Sequence, residues 1–406
     1  MTLKKILMVS TEYPPMPGGV GRYAANLTRA LEKYGSNKVI VVCDEKGKGD
    51  YAGSISPSNP RNSDNLLKIV DDVKPDIVHV QFEPGLYGLF LDAVDPRKSA
   101  TYIDSFYENC KVPIVTTFHS AYTFREWVGQ SLLVKRTGRT GKFGVPVRLA
   151  VRMWKSLLHY NSFHDLNKEK LALSQAGICF SHYMTKILGG GHIVYHGAEP
   201  TVSPVPGKKE ARSRMSLPYE KKLAVVIGFR TMTKGWDILE KMRMPEGWAL
   251  VINSSRSHYN NENLETTGFF AGRSDVIDLQ RGFLSDEDLS TLMLACDAVL
   301  LPYKIASGSG VMFDALAHGL PFVASDLEFF KEFAKMGLGI ITHRDQKSFV
   351  KALSKLDRNY GKYSSNVEQF RQKLRWEHVA RQHMQIYEEA GKGIIKGKKK
   401  TQAQIQ

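Results

Sequence analysis

Residues 300–325, LLPYKIASGSGVMFDALAHGLPFVAS, pass from a short apolar strand through a Gly/Ser loop into an apolar helix and on to a second apolar strand. A strand, a crossover helix and a second strand of the same kind make a parallel βαβ unit, buried on both faces. Ser307, Gly308, Ser309, Gly310 and Val311 fall where that helix begins. Backbone N–H groups and the helix dipole make such a start receptive to phosphate. Asp314 lies one turn further on, placed to accept hydrogen bonds from the hydroxyls of a ribose.

Outward from this unit the same pattern repeats. KKLAVVIGF, WALVINS and LGIIT are further β-branched runs in the second half. KKILMVS, NKVIVVC, DIVHVQF, VPIVTTFH and AGICFS form an equivalent series in the first. Between the two series, EPTVSPVPGKKEARS has three prolines and a glycine and reads as a loop-like connection. The expected organisation is therefore α/β, with two similar halves at 1–200 and 217–375. A closing helix, RWEHVARQHMQIYEEA, spans 376–391 and is expected to pack back on the first half. A basic, disordered tail is expected at 392–406.

The first half opens with STEYPPMPGGVGRYAANLTRAL, where Gly18, Gly19 and Gly21 sit between a strand and a helix. Such a turn can cradle an anion or merely permit a tight bend. It matches neither G-x-G-x-x-G nor G-x-x-x-x-G-K-[ST], so dinucleotide and P-loop readings fail on spacing. His119 ends VPIVTTFHS, at the carboxyl edge where ligands of parallel sheets gather. Glu83 and His196 occupy comparable strand ends. In VVIGFRTMTKGWDIL, Gly228 is followed by Arg230 and Lys234, two cations on one turn that suit a diphosphate. Asp286, Glu287 and Asp288 follow Ser285 and read as a capped helix start, not a metal site.

Composition narrows the classes. With 42% hydrophobic and 24% charged residues, fibrous and disordered chains are excluded. The four cysteines are scattered, so neither a disulfide framework nor a structural zinc site is expected. No apolar run reaches the length of a membrane span, and the expected location is cytoplasmic. A formal charge of +15 favours anionic partners. Lys135–Lys155 contains seven basic and no acidic residues, with Val145, Val147, Leu149, Val151 and Trp154 among them. That pattern suits an amphipathic helix on an anionic membrane face, or a solvated basic face. No aromatic-basic motif supports nucleic-acid binding.

Taken in order, GGVGRYAANLTRAL, TTFHS, VYHGAE, GFRTMTKGWDIL, GFLSDEDLSTLMLACDAVLLPY, SGSGVMFDALAHGLPFVASD and RWEHVARQHMQIY resemble glycosyltransferase family 4. The resemblance covers nearly the whole chain. It implies a GT-B fold, two Rossmann-like domains with an inter-domain cleft, and transfer of a sugar, most simply a hexose, from a nucleotide diphosphate donor to an acceptor left open. It further implies that Gly18 and Gly19 approach the donor, that His119 lies near the transferred sugar, and that Arg230 and Lys234 hold the diphosphate. Gly228 and the SGSGV segment would bind the donor phosphates, and Asp314 the ribose. Retention of configuration, and action without metal or cofactor, are implied as well. Where the family has a glutamate, seven residues and another glutamate, this chain has Ala306 and Asp314. That departure leaves as the alternative a catalytically silent GT-B protein that binds a nucleotide sugar or a partner enzyme.

Overall fold

The computed structural model describes residues 4–91, 95–128, 145–256 and 270–393, with backbone alone at 145–153. The described residues form two compact units. Unit 1 gathers 4–124, 145–195 and 379–393, and unit 2 gathers 125–128 and 196–378. The chain thus leaves unit 1 after Tyr195 and re-enters it at Val379.

Unit 1 is built on a seven-stranded sheet. Its strands are β1 (Lys5–Val9), β2 (Lys38–Cys43), β3 (Tyr51–Ala52), β4 (Ile77–Phe82), β7 (Ile114–Phe118), β8 (Ala176–Cys179) and β9 (His192–Ile193). A small antiparallel pair, β5 (Phe90–Leu91) and β6 (Ser99–Ala100), stands apart. The order β3-β2-β1-β4-β7-β8-β9 is parallel throughout. Parallel neighbours require crossovers, and the helices Gly19–Gly35 and Asn62–Val73 supply two of them. Both are amphipathic, burying Leu27 and Leu31 in the first and Leu66, Ile69 and Val70 in the second.

Unit 2 repeats the plan with β10 (Lys222–Phe229), β11 (Trp248–Ser255), β12 (Val276–Asp278), β13 (Ala298–Leu301), β14 (Phe322–Ser325) and β15 (Gly339–Thr342). The order β12-β11-β10-β13-β14-β15 is again parallel. Its core packs Trp236, Leu239 and Met242 against Leu250, Ile252 and Leu300, with Phe349 and Leu353 from the helix Gln346–Arg358. In both sheets the order reverses beside the first strand, between β1 and β4 and between β10 and β13. At such a switch the loops at the carboxyl ends diverge and leave room for a ligand.

The connection expected to be loop-like through 213 contains a helix, Lys208–Arg214, that belongs to unit 2. Its Arg212 is buried and donates to Asp297 Oδ2 at 2.8 Å and to the carbonyls of Pro218, Tyr219 and Lys221. Lys208 reaches the other oxygen of Asp297 at 2.6 Å. Proline density announced a break in the chain, but the charge partner that makes the next seven residues helical lies more than eighty residues away.

The acidic run after Ser285 starts the helix Asp286–Ala295, and the Ser285 hydroxyl accepts from Asp288 N at 3.1 Å. The closing helix, Trp376–Gly391, begins in unit 2, where Trp376 N donates to Glu199 at 3.3 Å, and continues into unit 1. Of the basic run Lys135–Lys155, positions 135–144 lie outside the described residues, as does the tail beyond 393. Trp154, at the end of that run, is 61% exposed. Among the described residues no helix is long and apolar enough to cross a membrane.

Candidate active site

In unit 2 the loop after β10 carries both expected cations. Arg230 continues the pairing with β11 through its N–H to Ser255 O, at 2.8 Å, and its Nε donates to Ser254 Oγ, also at 2.8 Å. One 3₁₀ turn, Met232–Lys234, follows and ends at Gly235, whose φ is +82°. A β-carbon at Gly235 would lie 1.9 Å from the carbonyl oxygen of Pro302. Glycine is needed there twice over, for the left-handed backbone and for the close approach.

That approach fastens the β10 loop to the β13 loop. Lys304 N donates to Thr233 O at 2.8 Å, and Lys234 Nζ sits 4.0 Å above the ring of Tyr303. The negative face of the ring holds the ammonium in place without neutralising it. The methylenes of Lys234 run beside Gly228, about 3.8 Å from where a β-carbon would be. Lys304 and Arg344 both pair with Asp237, at 3.5 and 2.6 Å, and Arg344 also donates to Pro302 O at 3.2 Å.

From Tyr303 the chain runs through buried Ile305, Ala306 and Ser307, past Gly308, to the helix Gly310–Ala317. Ser309 is the N-cap, its hydroxyl accepting from Met312 N at 3.2 Å. Val311 is the helix's second residue and Asp314 is buried on it. His196 packs its ring parallel to Phe313 at 5.7 Å, and its Nε2 is 3.5 Å from a β-carbon placed on Gly310. Unit 2 therefore brings Gly228 and Lys234 of the β10 loop up to Tyr303, with Arg230 on the same loop, and carries the segment from Ser307 to Asp314 further along the chain from Tyr303. Arg230 is anchored on the β11 side of this group and Lys234 on the β13 side.

At the glycine turn of unit 1, the backbone N–H groups of Val20 and Gly21 donate to Glu12 Oε2 at 3.1 and 3.2 Å. A β-carbon on Gly18 would overlap the Glu12 carboxyl at 2.2 Å, whereas one on Gly19 would meet nothing within 4 Å. The anion at this helix start is the chain's own. Burial pushes the Glu12 carboxyl up to about 7 despite the two N–H donors, and nearby Glu83 adds to the shift. Glu83 is likewise raised to about 7 by burial.

His119 follows β7, with its N–H donating to Phe82 O at 3.0 Å and its Nε2 meeting Gln81 Oε1 at 2.9 Å. Tyr23 and Phe180 turn their rings edge-on to it at 5.4 and 5.3 Å. His119, Gly18 and Gly19 belong to unit 1, and every other expected site residue belongs to unit 2. An open hollow of about 620 Å³ beside Tyr13, Val41 and Lys48 is lined by none of them.

Tyr303, Glu12 and Gln81 were not singled out by sequence. Gln81 had a signal: DIVHVQF reads as a fully buried strand, yet it holds two polar residues at i and i+2. The residue beneath Lys234 had none, because nothing in PYK says that the ring serves a cation seventy residues earlier.

Two family models match the chain: Glycosyltransferase Family 4 over residues 17–156 and Glycosyl transferases group 1 over 280–373. A search of curated proteins returns no match. Among solved structures, sucrose-phosphate synthase from Thermosynechococcus elongatus superposes with a TM-score of 0.65 at 13% identity, covering 95% of this chain and 98% of that one. Anabaena HepE in complex with UDP and glucose gives 0.60 at 15% identity, with 94% and 98% covered. The catalytic domain of starch synthase IV from Arabidopsis thaliana, bound to ADP and acarbose, gives 0.59 at 13%, with 96% and 100% covered. These likenesses carry the GT-B fold, the twin parallel sheets match it, and the two family models establish that the chain belongs to glycosyltransferase family 4.

Proposed function

We propose that the protein transfers a hexosyl group from a nucleoside diphosphate sugar to a hydroxyl acceptor, with retention of configuration and without a divalent metal. Arg230 and Lys234 bind the diphosphate, the start of the helix Gly310–Ala317 receives its distal phosphate, and Asp314 takes the ribose hydroxyls. His119 meets the transferred sugar. The observation that carries the reading is Lys234, held over Tyr303 on a loop stitched to the β13 loop, at the switch point of a parallel sheet. Two fixed cations and a helix dipole can stabilise a departing diphosphate in the role a metal plays elsewhere. Gly18, which leaves room for the Glu12 carboxyl, and Gly19, which is open on its outer side, approach the donor. Complexes of similar folds with UDP and with ADP support a nucleotide donor.

The reading places the protein in the cytoplasm, with the acid-free run Lys135–Lys155 resting on an anionic membrane face. Flotation with anionic and with neutral vesicles tests that part separately. For the reaction, a thermal-shift panel of UDP-, GDP- and ADP-linked sugars is followed by assays of transfer and hydrolysis. Binding to the native state raises the melting temperature. The proposal expects one donor to stabilise the protein and to be turned over. Stabilisation without any product would favour the silent binder to which buried Ala306 points. Undiminished turnover in Lys234→Ala would reject the assignment of the diphosphate site.

A further inference from the structure

Strand β4 is buried along its whole length, yet it carries His79 and Gln81 with no exposed surface. Buried polar groups persist where they are paired, and these two form a chain. Gln81 Oε1 meets His119 Nε2 at 2.9 Å, while Gln81 Nε2 meets His79 Nε2 at 3.3 Å and Met8 Sδ at 3.2 Å. His79 Nε2 also meets Thr117 Oγ1 at 2.8 Å, and its Nδ1 meets the Tyr387 hydroxyl at 2.6 Å.

The chemistry of the partners orients every bond. A thioether only accepts, so the amide nitrogen of Gln81 faces Met8 and His79, and the amide oxygen faces His119. An amide oxygen also only accepts, so His119 must donate from Nε2. With that amide nitrogen facing it, His79 Nε2 is the imine nitrogen: its single lone pair accepts from Thr117 at 2.8 Å, the amide at 3.3 Å being the longer approach, and Nδ1 donates to the oxygen of Tyr387. The neighbouring His383 donates from Nδ1 to Val379 O at 2.8 Å and so presents Nε2 to the Tyr23 hydroxyl at 3.4 Å.

We propose that Gln81 is a positioning residue for His119: it fixes the imidazole as the Nε2–H tautomer, and His79 with Tyr387 of the closing helix holds the amide in that orientation. The kinetic consequence rests on the proposed transferase reaction; the tautomer does not.

The test is ¹⁵N NMR of histidine-labelled full-length protein without substrate, with His119 assigned by its loss in His119→Gln. The expected wild-type signal is the Nε2–H form. Gln81→Met, similar in size but offering only the weak acceptor of a thioether in place of the amide oxygen, should give a tautomer mixture. It should also lower kcat about tenfold while leaving the donor KM within about threefold, as loss of an interaction made in the transition state does. Gln81→Glu keeps an acceptor in place and should restore a fully protonated Nε2, as the single tautomer or as the imidazolium. A wild-type His119 protonated on Nδ1, or an unchanged tautomer in Gln81→Met, overturns the proposal. If Gln81→Met does not fold, the wild-type assignment alone decides. An expected tautomer pattern in a protein that turns over no donor upholds the role of Gln81 and removes the transferase reading instead.

Discussion

The hydroxyl of Tyr387 and Nδ1 of His79 lie 2.6 Å apart although 308 positions of chain separate them. Both groups are fully buried, so neither can exchange this hydrogen bond for one to water. Burial holds the Tyr387 phenol well above its ordinary value and His79 well below, which leaves both neutral. Val379, Ala380, Met384 and Ile386 of the same helix are buried as well. Tyr387→Phe, which leaves the His79 N–H without its acceptor, should cost about 1–3 kcal/mol in chemical denaturation. Deleting 379–406 should do far more and prevent unit 1 from folding, visible as loss of the cooperative unfolding transition assigned to it.

Diphosphate binding makes a second prediction. Lys234→Ala and Arg230→Ala should each lower kcat about 10²–10³-fold, the range for removing one preorganised electrostatic partner. Lys234→Ala should leave the fold intact, because the ammonium's contact is a face of Tyr303 and not a buried ion pair. Circular dichroism spectra matching wild type, with turnover lost, would agree; turnover retained would not.

Gly235→Ala should be among the most damaging single substitutions in unit 2. The new methyl would collide with Pro302 O at a backbone φ of +82°. Relief requires parting the β10 and β13 loops, so stability should fall by about 3 kcal/mol or more and donor binding should weaken with it. Ser309→Ala is the mild counterpart: loss of the cap to Met312 N should cost about 1 kcal/mol in a denaturant melt.

Glu12 predicts a pH dependence. Its carboxyl is raised from 4.5 to about 7 in the folded protein, so the native state binds more protons than the unfolded one between those values. Stability from this group is therefore complete below about pH 4.5 and declines as pH rises through 7. Glu12→Gln keeps an acceptor for Val20 N and Gly21 N without the charge. Relative to wild type, its stability should gain by up to about 3 kcal/mol between pH 5 and pH 8, measured by urea unfolding at each pH. A constant difference across that range would contradict the assigned burial.

Much of the architecture was legible because buried parallel strands advertise themselves. Ten apolar runs correspond to β1, β2, β4, β7, β8, β10, β11, β13, β14 and β15, while the two- and three-residue edge strands β3, β9 and β12 carry too few residues for any pattern. The cations Arg230 and Lys234 and the loop before Asp314 were visible for the same reason, since strand ends locate the loops that ligands meet. At the glycine turn the role of Glu12 was not legible, because a helix start attracts any carboxylate and periodicity does not say which one folds back onto Val20 N and Gly21 N.

Local patterning alone determined the two strand series, the helix caps at Ser285 and Ser309, and the residue types offered at each strand end, since these depend on neighbours within a few positions. Only tertiary structure decided which partners those residues take. The ring of Tyr303 beneath Lys234, the carbonyl of Pro302 against Gly235, Asp297 beside Arg212 and the chain from His119 to Tyr387 all join distant segments. Their energies arise from burial and directed hydrogen bonds, which do not exist until the sheets have brought those segments together.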